Sequence, residues 1–521
     1  TVKKKDLTGS VARINAADVQ TEASSNMTSM LRAQIPGLNV TLSTSPKGLS
    51  SSSAMLVRGE RSLRALDANG TDAPERAANA PLIVVDGMIY YGDLADINPV
   101  DIESFDILKD ASSAAIYGAR ASNGVVIITT KKGAKGKPII NVSTSTGISF
   151  ISPVHYNMMN GQQYINRRIA GFEANERRQL TIGPNYYTNY TDLPSNVTLA
   201  QWKAYDGSTA AADLDAVWLN RIGFAAIEIN NYEAGKETDF KKYAWQTGLT
   251  QDYNLSASGS GDAASYYFSL GYTNNEGIHF NESFNTLRSR LNLEINVTKW
   301  LKVGTNTQFA FRDESPIAIS PSLFNTPYSS MYEDDGTTLL FAPSGYVNAP
   351  NFWYEMTYHD RYIKYNTLNS KIYGTVTLPF GFSVTSEFIP RFNWNRNYQR
   401  WSSKQPNWAV EGGRASRENT TIVEWQVNNI LKWNKTFDIH AFDFTFVQNA
   451  EKYQYWRDYT YRQRFLPSDV LGYHRIQAAT ENLEISSDDQ VSTGDALLAR
   501  MNYTLMDKYN LTGSWRRDGY S

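Results

Sequence analysis

The chain has no cysteine among its 521 residues. That excludes disulfides, thiolate metal sites and cysteine nucleophiles. Histidine is scarce too: His155, His279, His359, His440 and His474 are spread out, and no pair has helical metal-ligand spacing. A zinc hydrolase of the HExxH type is therefore absent. No sign of charge dominates, since 50 basic and 52 acidic residues leave a net charge of −2. Bulk charge gives no support for nucleic-acid binding. The basic runs Lys3 to Lys5 and Lys131-Lys132 read as a solvated tail and a solvated turn. No apolar run approaches the roughly 20 residues a membrane-crossing helix needs. If the chain enters a bilayer it must do so as a closed barrel, the other way to pair every backbone group in lipid. No leader is visible. The chain starts at Thr1 without methionine or an apolar segment, which reads as a processed chain or a fragment. GxSxG, P-loop and dinucleotide fingerprints are missing, and Gly259-Ser260-Gly261 reads as a hairpin turn.

What the chain does have begins with Asp101 to Gly133, DIESFDILKDASSAAIYGARASNGVVIITTKKG. Phe105, Ile107 and Leu108 make a short strand. Asp110 can cap a helix over Ala111 to Tyr117, and Gly118 ends it with positive φ. Asn123-Gly124 is a tight-turn signal, and Val125 to Thr130 is a β-branched run buried on both faces. Upstream, Met27, Met30, Leu31 and Ile35 fall at helical spacing, stopped by Pro36-Gly37. Leu38 to Leu42, Ala54 to Arg58 and Pro81 to Asp86 read as strands. The polar stretch Arg64 to Ala80 reads as a loop. Short strands alternating with short helices predict a small mixed sheet over residues 1–134.

From Lys137 the texture changes to long alternating segments. Leu287, Leu291, Leu293, Ile295 and Val297 point one way; Arg288, Arg290, Asn292, Glu294 and Asn296 point the other. Similar segments fall near 138–150, 245–259, 264–275, 285–298, 300–313, 364–379, 380–394, 420–434, 438–453, 494–506 and 508–517. Long connections are expected at 151–244, 314–363, 395–419 and 454–493. A soluble sandwich or propeller also alternates. Segments of about 10 to 15 residues exceed ordinary strands of about 5 to 6, and one face is charged. A water-filled lumen with lipid outside accommodates both faces. Trp300, Trp394, Trp401, Trp425, Trp433 and Trp515 cluster near segment ends, as an interfacial girdle would.

The organising stretch resembles the end of the plug domain in the SusC/RagA family of TonB-dependent outer-membrane transporters. Asp6 to Val11 (DLTGSV), Leu56 to Leu63 (LVRGERSL), Val84 to Gly87 (VVDG), Ser256 to Gly277 and Tyr509 to Ser521 agree with that family. The resemblance implies a small α+β plug domain, 1–134, followed by an antiparallel transmembrane β-barrel over 135–521. Plugged transporters have about 22 strands, so about half the barrel would be present. The TonB-gripped coupling segment would lie outside this chain. It also implies a bacterial outer-membrane location, a SusD-like surface lipoprotein lid, TonB as energy-coupling partner, and an oligosaccharide or peptide substrate. No cofactor, metal, nucleic-acid partner or enzymatic activity is expected. The 64–80 loop is longer than the family usually carries. Rival readings are a siderophore or cobalamin receptor without a lid, and a β-rich adhesin or carbohydrate-active protein.

Candidate site residues follow from that reading. Arg58, Gly59, Glu60 and Arg61 form the best plug-to-wall lock, through charge-assisted bonds. A surface pair worth under about 1 kcal/mol is the plainer alternative. Asp86-Gly87 is a turn signal first and a contact second. Lys109, Asp110, Tyr117, Gly118, Arg120, Asn123 and Gly124 complete the plug signature. Tyr186, Tyr187, Tyr190, Trp353, Tyr354, Trp401 and Trp408 in the loops are candidates for stacking on substrate. Glu333-Asp334-Asp335 and Asp488-Asp489 are expected to be solvated loop carboxylates rather than a glycosidase pair.

Overall fold

The computed structural model describes residues 11–19, 27–32, 34–40, 55–57, 59, 80–90, 92–109, 115–151, 158–179, 185–205, 213–319 and 325–521. Two bodies of β-structure emerge. The first carries strands β1 (Val11–Asn15), β2 (Leu38–Val40), β3 (Met55–Val57), β4 (Leu82–Val85), β5 (Met88–Ile89), β6 (Ile102–Leu108) and β7 (Val125–Thr130). Five of them form a sheet in the order β1-β6-β7-β4-β5, while β2 pairs with β3. β4 and β7 run parallel, and the other pairs are antiparallel.

β7 is buried on both faces because its side chains feed two cores. Val126 and Ile128 join Ile83, Val85, Phe105, Ile107 and Met55 on one side. Val125 joins Val84, Leu108 and Ala121 on the other, with Tyr117 packed against them. Gly118 and Gly124 both have positive φ, 71° and 90°. At Gly124 the requirement is doubled: a Cβ there would lie 3.0 Å from Val57 Cγ1. Asp86 and Gly87, with φ of 49° and 84°, form the two-residue turn between β4 and β5. Two consecutive positive φ values suit the twist of a tight hairpin.

The second body is an 11-stranded antiparallel sheet in chain order. Its strands are β8 (Gly136–Ser149), β9 (Gly248–Ser260), β10 (Ala264–Glu276), β11 (Ser283–Asn296), β12 (Leu301–Asp313), β13 (His359–Thr377), β14 (Phe382–Trp401), β15 (Arg414–Phe437), β16 (His440–Phe465), β17 (Ala479–Leu505) and β18 (Tyr509–Tyr520). The turns at one end are short: 261–263, 297–300, 378–381, 438–439 and 506–508. The connections at the other end include 150–247 and 314–358. β8 and β18 are the two edges, so the sheet is a partial barrel. No helix among the described residues is long and apolar enough to cross a membrane.

Three sequence expectations need correction here. β14 to β17 run well past the predicted segments, so the connections shrink from 395–419 to 402–413 and from 454–493 to 466–478. Polar outer faces at the ends of β14 to β16 hid the continuing ladder, while the extension of β17 carries Leu483, Ile485 and Val491 on its exposed face. Asp488 and Asp489 consequently stand in β17, not in a loop. Trp394, Trp425 and Trp515 fall inside strands rather than at their ends.

Side chains on this sheet are distributed inside out. On β11, Leu287, Leu291 and Ile295 are each 37% exposed, while Arg288 and Arg290 are 4% and 2%. On β10, Phe268, Leu270 and Tyr272 are exposed and Tyr267, Ser269 and Thr273 are buried. A water-soluble sheet does the reverse. The buried polar face is the one turned toward the small domain.

Candidate functional site

The inner face of the sheet meets the small domain through ion pairs that few soluble cores contain. Period two puts Arg288, Arg290 and Asn292 of β11 on that face. Gln308 and Arg312 of β12 and Thr367 and Lys371 of β13 join them by register. The small domain answers with Asp86, Asp93, Asp96 and Asp101, all in the turns after β4 and before β6.

Arg290 holds the first contact. Its Nη1 lies 3.0 Å from Asp86 Oδ2 and donates to Thr130 Oγ1 at 3.3 Å. Its Nε is 3.9 Å from Asp101 Oδ2. Asp86 is fixed from its own side by Thr130, whose N–H and hydroxyl both donate to the carboxylate. The Tyr267 hydroxyl donates to Asp101 at 2.8 Å. Asn292 Nδ2 donates to Thr130 Oγ1 and to the Lys131 carbonyl, and Lys371 Nζ donates to the Asp86 carbonyl. Side chains of Arg290, Asp86 and Asp101 are only 2–4% exposed.

Arg312 holds the second. Nη1 reaches Asp96 Oδ1 at 2.7 Å and Nη2 reaches Asp93 Oδ2 at 3.0 Å. Nε pairs with Glu314, and the Tyr365 ring lies beneath the guanidinium. Thr367 donates to Asp96 Oδ2, and Gln308 Nε2 to the Asp96 carbonyl. Burial pushes the Asp96 carboxyl above its usual value, with Arg312 and Arg288 pulling it back. Arg288 donates to the Ala95 carbonyl at 2.7 Å. A third contact lies across the bore: Arg120 pairs with Glu451 of β16 at 3.1 Å and lies over Tyr520 of β18.

The residues singled out from sequence divide in three. Arg58, Glu60, Arg61 and Asp110 lie outside the described residues, as does most of the 64–80 loop. Asp86, Gly87, Gly118 and Arg120 face the sheet: a Cβ on Gly87 would sit 3.7 Å from Lys371 Nζ, and one on Gly118 would press on Arg516 and Asp518. Gly59, Lys109, Tyr117, Asn123 and Gly124 belong to the small domain itself. Gly59 has φ of 82°. Lys109 donates to the Pro36 carbonyl, and Asn123 Nδ2 reaches the Ala80 carbonyl at 3.5 Å. Burial pushes the Tyr117 hydroxyl up to about 12. Asp93, Asp96 and Asp101 were not anticipated. In the sequence they look like turn formers, and Asp93 does cap its turn by accepting from Ala95 N.

The loop aromatics build two small cores beyond the sheet. Tyr186 and Tyr187 pack with Trp202, Trp218, Phe224 and Tyr328. Trp353 packs among Tyr243, Phe280 and Phe352 and donates to the Tyr243 carbonyl. Tyr354 is buried and donates to the Leu339 carbonyl. At the rim, Trp401 stacks on His359, and Arg414 lies between Trp401 and Trp408. Among the described residues no cluster of three or more His, Asp or Glu is arranged to hold a metal.

Comparison with known proteins fits this geometry. The TonB-dependent Receptor Plug Domain family matches residues 3–125. All of the chain aligns with TonB-dependent receptor SusC of Bacteroides thetaiotaomicron, at 25% identity and over 48% of that protein. The chain is SusC/RagA-like. TonB-dependent receptor P39 of Formosa agariphila is similarly matched, at 24% identity over all of this chain and 44% of the relative. The RagAB peptide importer in its open-open state shares the fold, with a TM-score of 0.75 at 22% identity, covering 100% of this chain and 55% of that one. The ferric citrate transporter FecA follows at 0.54 and 10% identity, covering 99% and 56%. This SusC/RagA-like chain thus spans about half the length of the curated relatives it matches. Its small domain is the plug, and the large sheet is a partial barrel.

Proposed function

We propose that the chain contributes a plug over 1–134 and the first half of a barrel over 135–521 to an outer-membrane importer. The observation that carries the reading is the inverted sheet. Its exposed apolar face wants hydrocarbon, and its buried charged face is filled by a stopper of opposite charge. The height of the apolar band agrees. On β14 it runs from Phe382 to Trp394, about 12 residues or about 40 Å of strand. A tilt of about 45° projects that to about 28 Å, against about 25 Å for outer-membrane barrels. Trp433, Phe437 and Phe442 pack together at one boundary and Phe392 stacks on Trp394 at the other, as an interfacial girdle would.

On this reading the short turns face the periplasm and the long loops face outside. TonB draws on the plug, a SusD-type lipoprotein caps the loops, and an oligosaccharide or peptide passes between plug and wall. The likeness to RagAB, stronger than that to FecA, supports the lidded importer over a siderophore receptor. The test is membrane fractionation followed by uptake. The protein should need detergent for extraction, bring a lipoprotein with it, and support TonB-dependent growth on an oligomeric nutrient. Extraction in plain buffer would overturn the reading.

A further inference from the structure

The inner face continues beyond the plug. Glu451 of β16 points inward, since it meets Arg120 of the plug. Alternation therefore turns Tyr453, Tyr455, Arg457, Tyr459 and Tyr461 inward as well, in a line leading toward the long loops. Register places Asn393, Asn395, Asn397 and Gln399 of β14 on the same face, two strands away. One strand carries aromatic faces and the other carries amides.

The wall has unused bonding capacity. All four tyrosines are partly exposed, and the hydroxyls of Tyr453, Tyr455 and Tyr459 make no hydrogen bond among the described residues. The Asn393 carbonyl oxygen is buried without a partner. The charges, by contrast, lie beside opposite charges. Arg457 pairs with Glu418 at 2.6 Å and Arg391 with Glu424 at 3.2 Å. Asp488, opposite Arg457, accepts from Gln490.

We propose that this wall binds a neutral, hydroxyl-rich chain, an oligosaccharide, above the plug. This rests on the importer reading and narrows its substrate. Tyrosine rings offer flat apolar faces with a polar tip, suited to the apolar face of a sugar ring. Side-chain amides offer donor and acceptor together, the pattern vicinal hydroxyls need. Paired charges leave little field to draw in a polyanion or a charged peptide.

The test is calorimetric titration of the detergent-purified receptor, with whatever partner accompanies it. The probes are neutral glucan, mannan, xylan and fructan oligosaccharides, a sulfated oligosaccharide, and a capped peptide. At least one neutral oligosaccharide should bind. Tyr455→Ala with Tyr459→Ala should weaken it at least tenfold, while Tyr455→Phe with Tyr459→Phe keeps most of the affinity and controls for folding. Binding only to the sulfated or peptide probe, binding to none, or an alanine variant matching the parent would overturn the assignment. TonB-dependent uptake of a peptide would leave the importer standing and remove this wall assignment alone.

Discussion

At the scale of single residues the plug contact turns on Arg290. A buried pair stabilises modestly, but removing one partner strands the other, at about 3–5 kcal/mol. Arg290→Ala leaves Asp86 and Asp101 facing a void, so it should destabilise the plug by about that much. Arg290→Gln with Asp86→Asn keeps hydrogen bonds without charge and should recover much of the loss. Thermal unfolding in detergent reads both. Equal losses would mean the ion pair contributes nothing beyond packing. Asp86 was visible in the sequence as half of an Asp-Gly turn. Its partner was visible only as one polar residue in an alternating strand. Nothing local joins two positions 204 residues apart, so the pair had to come from the fold.

At the scale of elements, alternation was the legible feature. It located all eleven strands of the sheet and named the polar face of β11, with Arg288 and Arg290 on it. It failed at the far ends of β14 to β17: on β14 to β16 the outer face there is polar and period two leaves little contrast, whereas β17 carries Leu483, Ile485 and Val491 on its exposed face and was missed for no such reason. Leu291→Arg tests which face meets oil. In hydrocarbon it should cost about 2–4 kcal/mol near mid-depth, and folding into detergent or lipid should drop accordingly. In water an exposed arginine would cost almost nothing, so an unchanged folding yield would contradict the lipid-facing assignment. The short helix Trp353–Tyr358 gives a pH test. The hydrogen bond from His359 holds the Glu355 carboxyl below the ordinary glutamate value, and Gln405 adds to it. A depressed acid stabilises the fold while ionised. The support is complete at neutral pH and is lost as pH falls below about 4.3 through the lower folded value. Hydrogen exchange across 353–359 should accelerate there, and Glu355→Gln should remove that acid-induced step.

At the scale of the whole molecule, the absence of cysteine becomes a tool. Asn98 of the plug donates to Asn254 of β9 at 2.7 Å. Asn98→Cys with Asn254→Cys should cross-link under mild oxidant, with no native thiol among these 521 residues to compete. If the plug must leave this wall for import, the oxidised form transports poorly and reductant restores it. Full transport by the cross-linked form would mean that this corner of the plug stays put. The inverted sheet also bears on the journey the polypeptide makes before it folds. Because outward apolar side chains mostly alternate with polar ones, no segment of this chain offers the continuous greasy stretch that an inner-membrane insertion machine captures as a helix. On the importer reading, this lets the newly made chain cross the first bilayer unrecognised and save its oily surface for the second.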